Sequence, residues 1–356
     1  MVGVPSLENC IAERGGHHAL LDDRFELCSN DPTHARKPHE WGTPKVWAVC
    51  VWATQPPMCM LRSDVGHPFR WSPVEPGRGG SSMSAEVDLY DSAYGNYESA
   101  TYRQVRIETY GEDFGQTSWV TTEESNAIPQ LLGLRSDSFV LEVGCGSGGY
   151  ALHLGEKVGC RLIGLDINEP GVRNANQLAV ARGLASQVRF EQCDASKRLP
   201  FDDNTFDAVF SNDALCHLPG RPEVLVEMFR VLKPGGRMLF SDALVIGGMV
   251  SQEEIATRSS IGFYVYSPPG ENERLMERAE FRQIRVTDTT ESAARIAKRW
   301  YDAREKRKEE LVAAEGTTNF MGLQRFLACV HVLTSEKRLL RYLYVASKEF
   351  RDELTS

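Results

Sequence analysis

The sequence has no apolar run long enough to cross a bilayer. A spanning helix needs ~20 predominantly apolar residues, and the best stretch, Val46 to Ala53, meets a Pro-containing polar segment after eight. Positive charge is not in excess: 40 Lys and Arg face 49 Asp and Glu, a net charge of −9. Phosphate-backbone binding depends on Lys and Arg, so a dedicated nucleic-acid partner is disfavoured. The nine cysteines contain no CxxC pair and no Cys/His pattern at zinc spacing, so no metal is expected. Cys145, Cys160, Cys193 and Cys216 read instead as reduced core thiols. The N-terminus lacks the basic-then-apolar order of a secretory signal. These absences make a cytoplasmic protein without membrane insertion the expectation.

What is there can build a large core: 356 residues, 42% hydrophobic and 25% charged. The chain changes character near residue 83. Residues 1–82 hold four of six Trp and five of eight His, without sustained periodicity, and end in Pro73, Pro76, Gly77, Gly79, Gly80, Ser81 and Ser82. That ending is linker composition, so 1–82 is read as a poorly structured extension, with Met83 as a possible functional start. A small metal or regulatory module using His17, His18, His34, His39, Cys50 and Cys59 is the rival reading.

From about residue 138 strands and helices alternate. Strands are expected at Ser138–Val143, Arg161–Leu165, Val188–Glu191, Phe206–Phe210 and Arg237–Ser241, with helices at Tyr150–Val158, Pro170–Arg182 and Arg221–Leu232. This order implies a parallel α/β sheet covered on both faces, with ligands at the carboxyl ends of its strands. Gly144, Gly146 and Gly149 satisfy GxGxxG after the first strand, a weak signal alone. A tight strand–helix connection would look the same, and an Asp closing a strand is often a turn residue.

The fuller set is more specific. Glu142-x-Gly144-x-Gly146-x-Gly148 is followed by Asp166 at the end of the second strand and Asp194 after the third. Leu232-Lys233-Pro234-Gly235-Gly236 then precedes the fifth. In this order the set resembles the class I S-adenosylmethionine-dependent methyltransferases, over roughly residues 85–348. The resemblance implies a Rossmann-like, seven-stranded, mostly parallel sheet with helices on both faces and a helical lid. It divides the chain into a cap segment at 83–135 and a catalytic domain at 136–348 with a helical insertion near 289–334. It implies that the glycine loop and Glu142 receive the amino-acid end of S-adenosylmethionine. Asp166, with Ile167 beside it, would take the ribose, Asp194 and Ala195 the adenine, and Asn212 the methionine portion near the methyl group.

Asp213-Ala214-x-x-His217 follows the fourth strand and is similar to small-molecule N-methyltransferases acting on phosphoethanolamine, sarcosine or dimethylglycine. On one helical turn Asp213 and His217 would share a face. Tyr97, Tyr102 and the segment from Tyr110 to Gly115 resemble the aromatic cap of those enzymes. The resemblance makes Tyr97 the partner of His217, and places Gln116 and Thr117 near the cofactor. The expected catalytic set is His217, Tyr97 and Asp213. Ala243 stands where the phosphoethanolamine enzymes have a phosphate-contacting Tyr, so an amine such as sarcosine or dimethylglycine fits better. Arg258 is expected on the solvated surface, pairing with an acceptor carboxylate being the alternative. The rivals are an O-, S- or C-acceptor with the same cofactor, an NAD-dependent oxidoreductase, and a non-catalytic binding protein. No Asn-Pro-Pro-aromatic motif of the amino-methylating DNA enzymes occurs.

Overall fold

A computed structural model describes residues 87–350. The extension at 1–82, with its His and Cys candidates, lies outside the described residues. Seven strands form one sheet: β1 Phe139–Val143, β2 Arg161–Asp166, β3 Val188–Gln192, β4 Phe206–Ser211, β5 Leu232–Ile246, β6 Arg282–Asp288 and β7 Leu339–Ser347. Their order is β3-β2-β1-β4-β5-β7-β6. The first five are mutually parallel, and β7 runs antiparallel to both β5 and β6. This is the expected Rossmann-like architecture. Strand order reverses between β1 and β4, which opens a crevice at their carboxyl ends.

Alternation along the strands explains the two layers. Val140 and Leu162 face one apolar core with Leu152 of helix α4 (Gly149–Val158) and Ala175 of α5 (Glu169–Ala181). Leu141 and Ile163 face the other, with Val224, Leu225 and Met228 of α6 (Arg221–Val231). Successive side chains point to opposite faces, so strands buried on both sides read as continuous apolar runs. Two strand and helix limits differ from expectation. Lys233-Pro234-Gly235-Gly236 lies inside β5, where pairing with β4 shifts register, and the strand runs on to Ile246. The charged stretch Glu291 to Ala314, whose pattern predicts one helix, is two, α9 (Thr290–Glu305) and α10 (Lys308–Glu315), interrupted at Lys306 and Arg307.

A third core makes the cap. Helices α1 (Tyr90–Gly95), α2 (Ala100–Tyr110) and α3 (Thr122–Leu132) precede the sheet. Val105 and Trp119 from this side pack with Ile296, Trp300, Phe320 and Phe326 of α9 and α11 (Thr317–Ser335). Short helices α7 (Gln252–Arg258) and α8 (Glu271–Arg278) follow β5. No described helix is long and apolar enough to cross a membrane.

Candidate active site

The crevice holds a cavity of about 320 Å³. One end is the turn between β1 and α4. Gly146 has φ +53°, and a Cβ there would sit 2.5 Å from Tyr94 Oη. Gly144 has φ +77°, and its Cβ would meet that of Ala214 at 2.2 Å. Both demands exclude larger residues, so the loop presents bare backbone to the cavity. Asp166 orders it: Oδ2 accepts from the Gly146 amide at 2.7 Å and Oδ1 from Asn168 at 2.8 Å. Burial raises the Asp166 carboxyl above its ordinary range. Each of its oxygens keeps a lone pair for a further donor.

Glu142 is fully buried and is not among the residues lining the cavity; its carboxyl makes no well-formed hydrogen bond, the Ala151 amide being the backbone donor near it, and Asn212 Nδ2 is unpaired. Burial, then the Asp166 charge, push the Glu142 carboxyl well above the usual range. Buried polar groups are ordinarily satisfied. Asn212, on the cavity wall, can donate from Nδ2 to a carbonyl or carboxylate of a ligand. Asp194 and Ala195 line the far part of the cavity, and Asp194 accepts from the Ser196 amide at 3.0 Å. Ile167 and Thr117 also line it. The glycine loop, Asp166, Ile167, Asp194, Ala195, Asn212 and Thr117 thus line one cavity, a donor and acceptor set that suits a cofactor such as S-adenosylmethionine, while Glu142 lies outside that lining.

Gln116 does not line the cavity. Its side chain accepts from the Phe114 amide at 3.0 Å and donates to the Glu112 carbonyl at 3.0 Å, so it braces its own loop.

The other end is built around His217, at the close of a 3-10 turn, Leu215–His217. Its Nδ1 lies 3.0 Å from the Phe263 carbonyl, which can only accept. Nδ1 therefore carries the proton, and Nε2 of the neutral ring accepts the hydroxyl of Tyr90 at 2.8 Å. Burial is the main force lowering the His217 pKa to about 4, with the Arg258 charge adding to it. Burial also holds Tyr90 protonated. Leu218, Ile261 and Phe263 complete this end.

The partner of His217 is thus Tyr90 and not Tyr97. Tyr97 packs under the Arg106 guanidinium, 4.5 Å from its ring centroid, and against Gly115. The missed signal is that Tyr90 and Tyr94 are four apart on α1, so one helical turn aims both at the crevice. Asp213 also departs from expectation. Its backbone is left-handed, φ +53°, so it does not share a helical face with His217. Its carboxylate is used by the framework: Oδ1 accepts from Arg341 Nε at 2.9 Å and Oδ2 from the Trp119 amide at 2.9 Å. Arg258 is not on the surface; it is 1% exposed.

Residues 141–240 match the family model described as a methyltransferase domain. A phosphoethanolamine N-methyltransferase of Triticum aestivum is 29% identical over 226 residues, covering 63% of this chain and 44% of that protein. A sterol 24-C-methyltransferase of Schizosaccharomyces pombe is 37% identical over 149 residues, 41% of this chain and 38% of that one. The chain spans less than half the length of these curated relatives. Haemonchus contortus phosphoethanolamine N-methyltransferase 2, solved with phosphomonomethylethanolamine and S-adenosylhomocysteine, shares the fold. Its TM-score is 0.63 at 22% identity, covering 74% of this chain and 61% of that one. Residues 141–240 thus match a methyltransferase domain, within a fold shared with a methyltransferase solved with S-adenosylhomocysteine.

Proposed function

We propose that this protein transfers a methyl group from S-adenosylmethionine to the nitrogen of a small amine. The observation that carries this is the Tyr90–His217 pair facing the glycine loop across one cavity. The cofactor supplies an electrophilic methyl on a sulfonium. Asp166 and the loop hold and orient it, with Glu142 buried at the end of the strand that carries the loop. Tyr90 donates its only proton to His217 Nε2, so its phenolic oxygen is left as an acceptor for an amine N–H. That contact aims the nitrogen lone pair, and alignment is what an in-line displacement needs most. His217 is a poor base with its pKa near 4, so the acceptor enters as the neutral amine. No Lys or Arg is among the lining residues of this cavity. That supports an amine with a small, apolar body over one needing a cation for its acid group. Sarcosine and dimethylglycine then serve as acidic comparators.

A second reading, a carbon acceptor, draws support from the apolar wall of Leu218, Ile261 and Phe263.

Calorimetric titration of S-adenosylmethionine and NADH tests the cofactor. Saturable S-adenosylmethionine binding, weakened roughly tenfold or more in Asp166→Ala, with no NADH binding, is expected. No S-adenosylmethionine binding by folded protein would sink the reading. In an amine screen, Tyr90→Phe is expected to lower kcat by roughly tenfold or more, and Tyr97→Phe to leave it unchanged.

A further inference from the structure

Arg258 closes α7, 1% exposed, with its guanidinium boxed by three aromatic rings. The centroids of Tyr264, Phe326 and Trp119 lie 4.5, 5.1 and 5.8 Å away. Its Nη1 has no hydrogen-bond partner. The other fully buried arginines are matched: Arg221 with Asp242, Arg304 with Glu315, Arg341 with Asp213 and Glu124. Among the described residues Arg258 has no acidic partner. Burying a cation without a counter-ion is expensive, and ring faces return only part of that cost. Its side-chain hydrogen bond goes to the neutral Tyr264 hydroxyl and not to an acid, so the charge itself is left to act on its neighbours.

Those neighbours lead to the acceptor end of the site. The Tyr264 ring lies between, 4.3 Å from the His217 imidazole. The groups facing His217 are Tyr90 from α1, the Phe263 carbonyl and Tyr264 after α7, and Asp213 in its own loop. The Cys216 thiol is buried close to Arg258. Asp213 is already neutralised by Arg341. Arg258 is therefore the uncompensated charge of this group.

We propose that Arg258 is a positioning residue for the Tyr90–His217 pair, a buried unpaired cation that keeps His217 as the neutral Nδ1–H tautomer able to accept the Tyr90 hydroxyl. An imidazolium would face Arg258 across one ring and would lose the acceptor on Nε2. The Tyr90 hydroxyl would then have to turn, and its oxygen would no longer await the amine. The low pKa of His217 agrees, burial acting first and Arg258 next, while the Phe263 carbonyl and Asp213 act in the opposite direction. This role rests on the pair being the acceptor-orienting element proposed above.

Histidine NMR on the full chain tests it. His217 in the wild type is expected to remain neutral between about pH 5 and 8. In Arg258→Met its titration should move upward by roughly half a unit or more, and stability should fall less than in Arg341→Met, since only the neutral Tyr264 hydroxyl loses a partner. Arg258→Gln should show the same shift, and Arg258→Lys the wild-type titration. Unchanged His217 titration in either folded neutral variant overturns the proposal. So does a loss of stability in Arg258→Met as large as in Arg341→Met. Titration with S-adenosylmethionine alongside separates the two ideas. A wild type that fails to bind it refutes methyl transfer, while the His217 shift stands or falls alone.

Discussion

Arg341 donates from Nε to Asp213 at 2.9 Å across 128 positions of sequence. Its Nη1 donates to Glu124 and to Thr289, each at 2.8 Å. One guanidinium thus ties β7, the cap helix α3 and the loop after β4 into one unit. It also fixes the left-handed turn at Asp213 that sets where His217 begins.

Breaking this pair should be costly, because Asp213 and Glu124 would be left without their cation. Arg341→Met is expected to lose about 3–5 kcal/mol, read from urea unfolding of the full chain. A loss under about 1 kcal/mol would show that the network carries no such weight.

Glu142 should make stability pH-dependent. Its carboxyl titrates well above the ordinary range in the folded chain, burial being the first cause, and near ~4.3 when unfolded. The folded state then holds the extra proton, so this contribution is full below the unfolded value. It declines as pH rises toward the folded one. His217 acts in the opposite sense, its depressed pKa adding stability as pH rises from about 4 toward 6.5. Above about pH 6.5 that effect is complete. Glu142→Gln should therefore flatten the decline measured from there to about pH 8.5 without cofactor. Equal slopes in both proteins would contradict this.

Gly146 and Gly183 separate backbone strain from site geometry. Both have positive φ, +53° and +69°. A Cβ at Gly146 would strike Tyr94, whereas at Gly183 nothing lies within 4 Å. Each change to Ala should cost about 1–2 kcal/mol from the left-handed backbone. Gly146→Ala alone should also weaken S-adenosylmethionine binding, by roughly tenfold. Comparable affinities for the two variants would place the loop away from the cofactor.

The sheet was legible because its signals are local. Runs such as Phe139 to Val143, the glycines after them and Asp166 at the strand end need only their neighbours to be read. The cap was less so. Tyr90, Tyr94 and Tyr97 lie within eight residues, and which one meets His217 depends on where α1 docks. That is decided by distant partners: Asp88 with Asn319, and Asp91 with Asn168. Arg258 was misjudged for the same reason. A charged residue ending a polar helix reads as exposed, yet Trp119 and Phe326 arrive from segments far along the chain to enclose it.

The position of β7 governs how the chain can be made. β5 and β6 leave the ribosome first, yet they are not neighbours, because β7 lies between them. Until residues 339–347 emerge, a nascent chain exposes two strand edges able to recruit foreign strands. The Arg341 tie to the loop after β4 arrives in that same segment. Vectorial synthesis therefore withholds both the closed sheet and the ordered site until this strand is made, and ribosome stalling before it would leave a species for chaperones to shield.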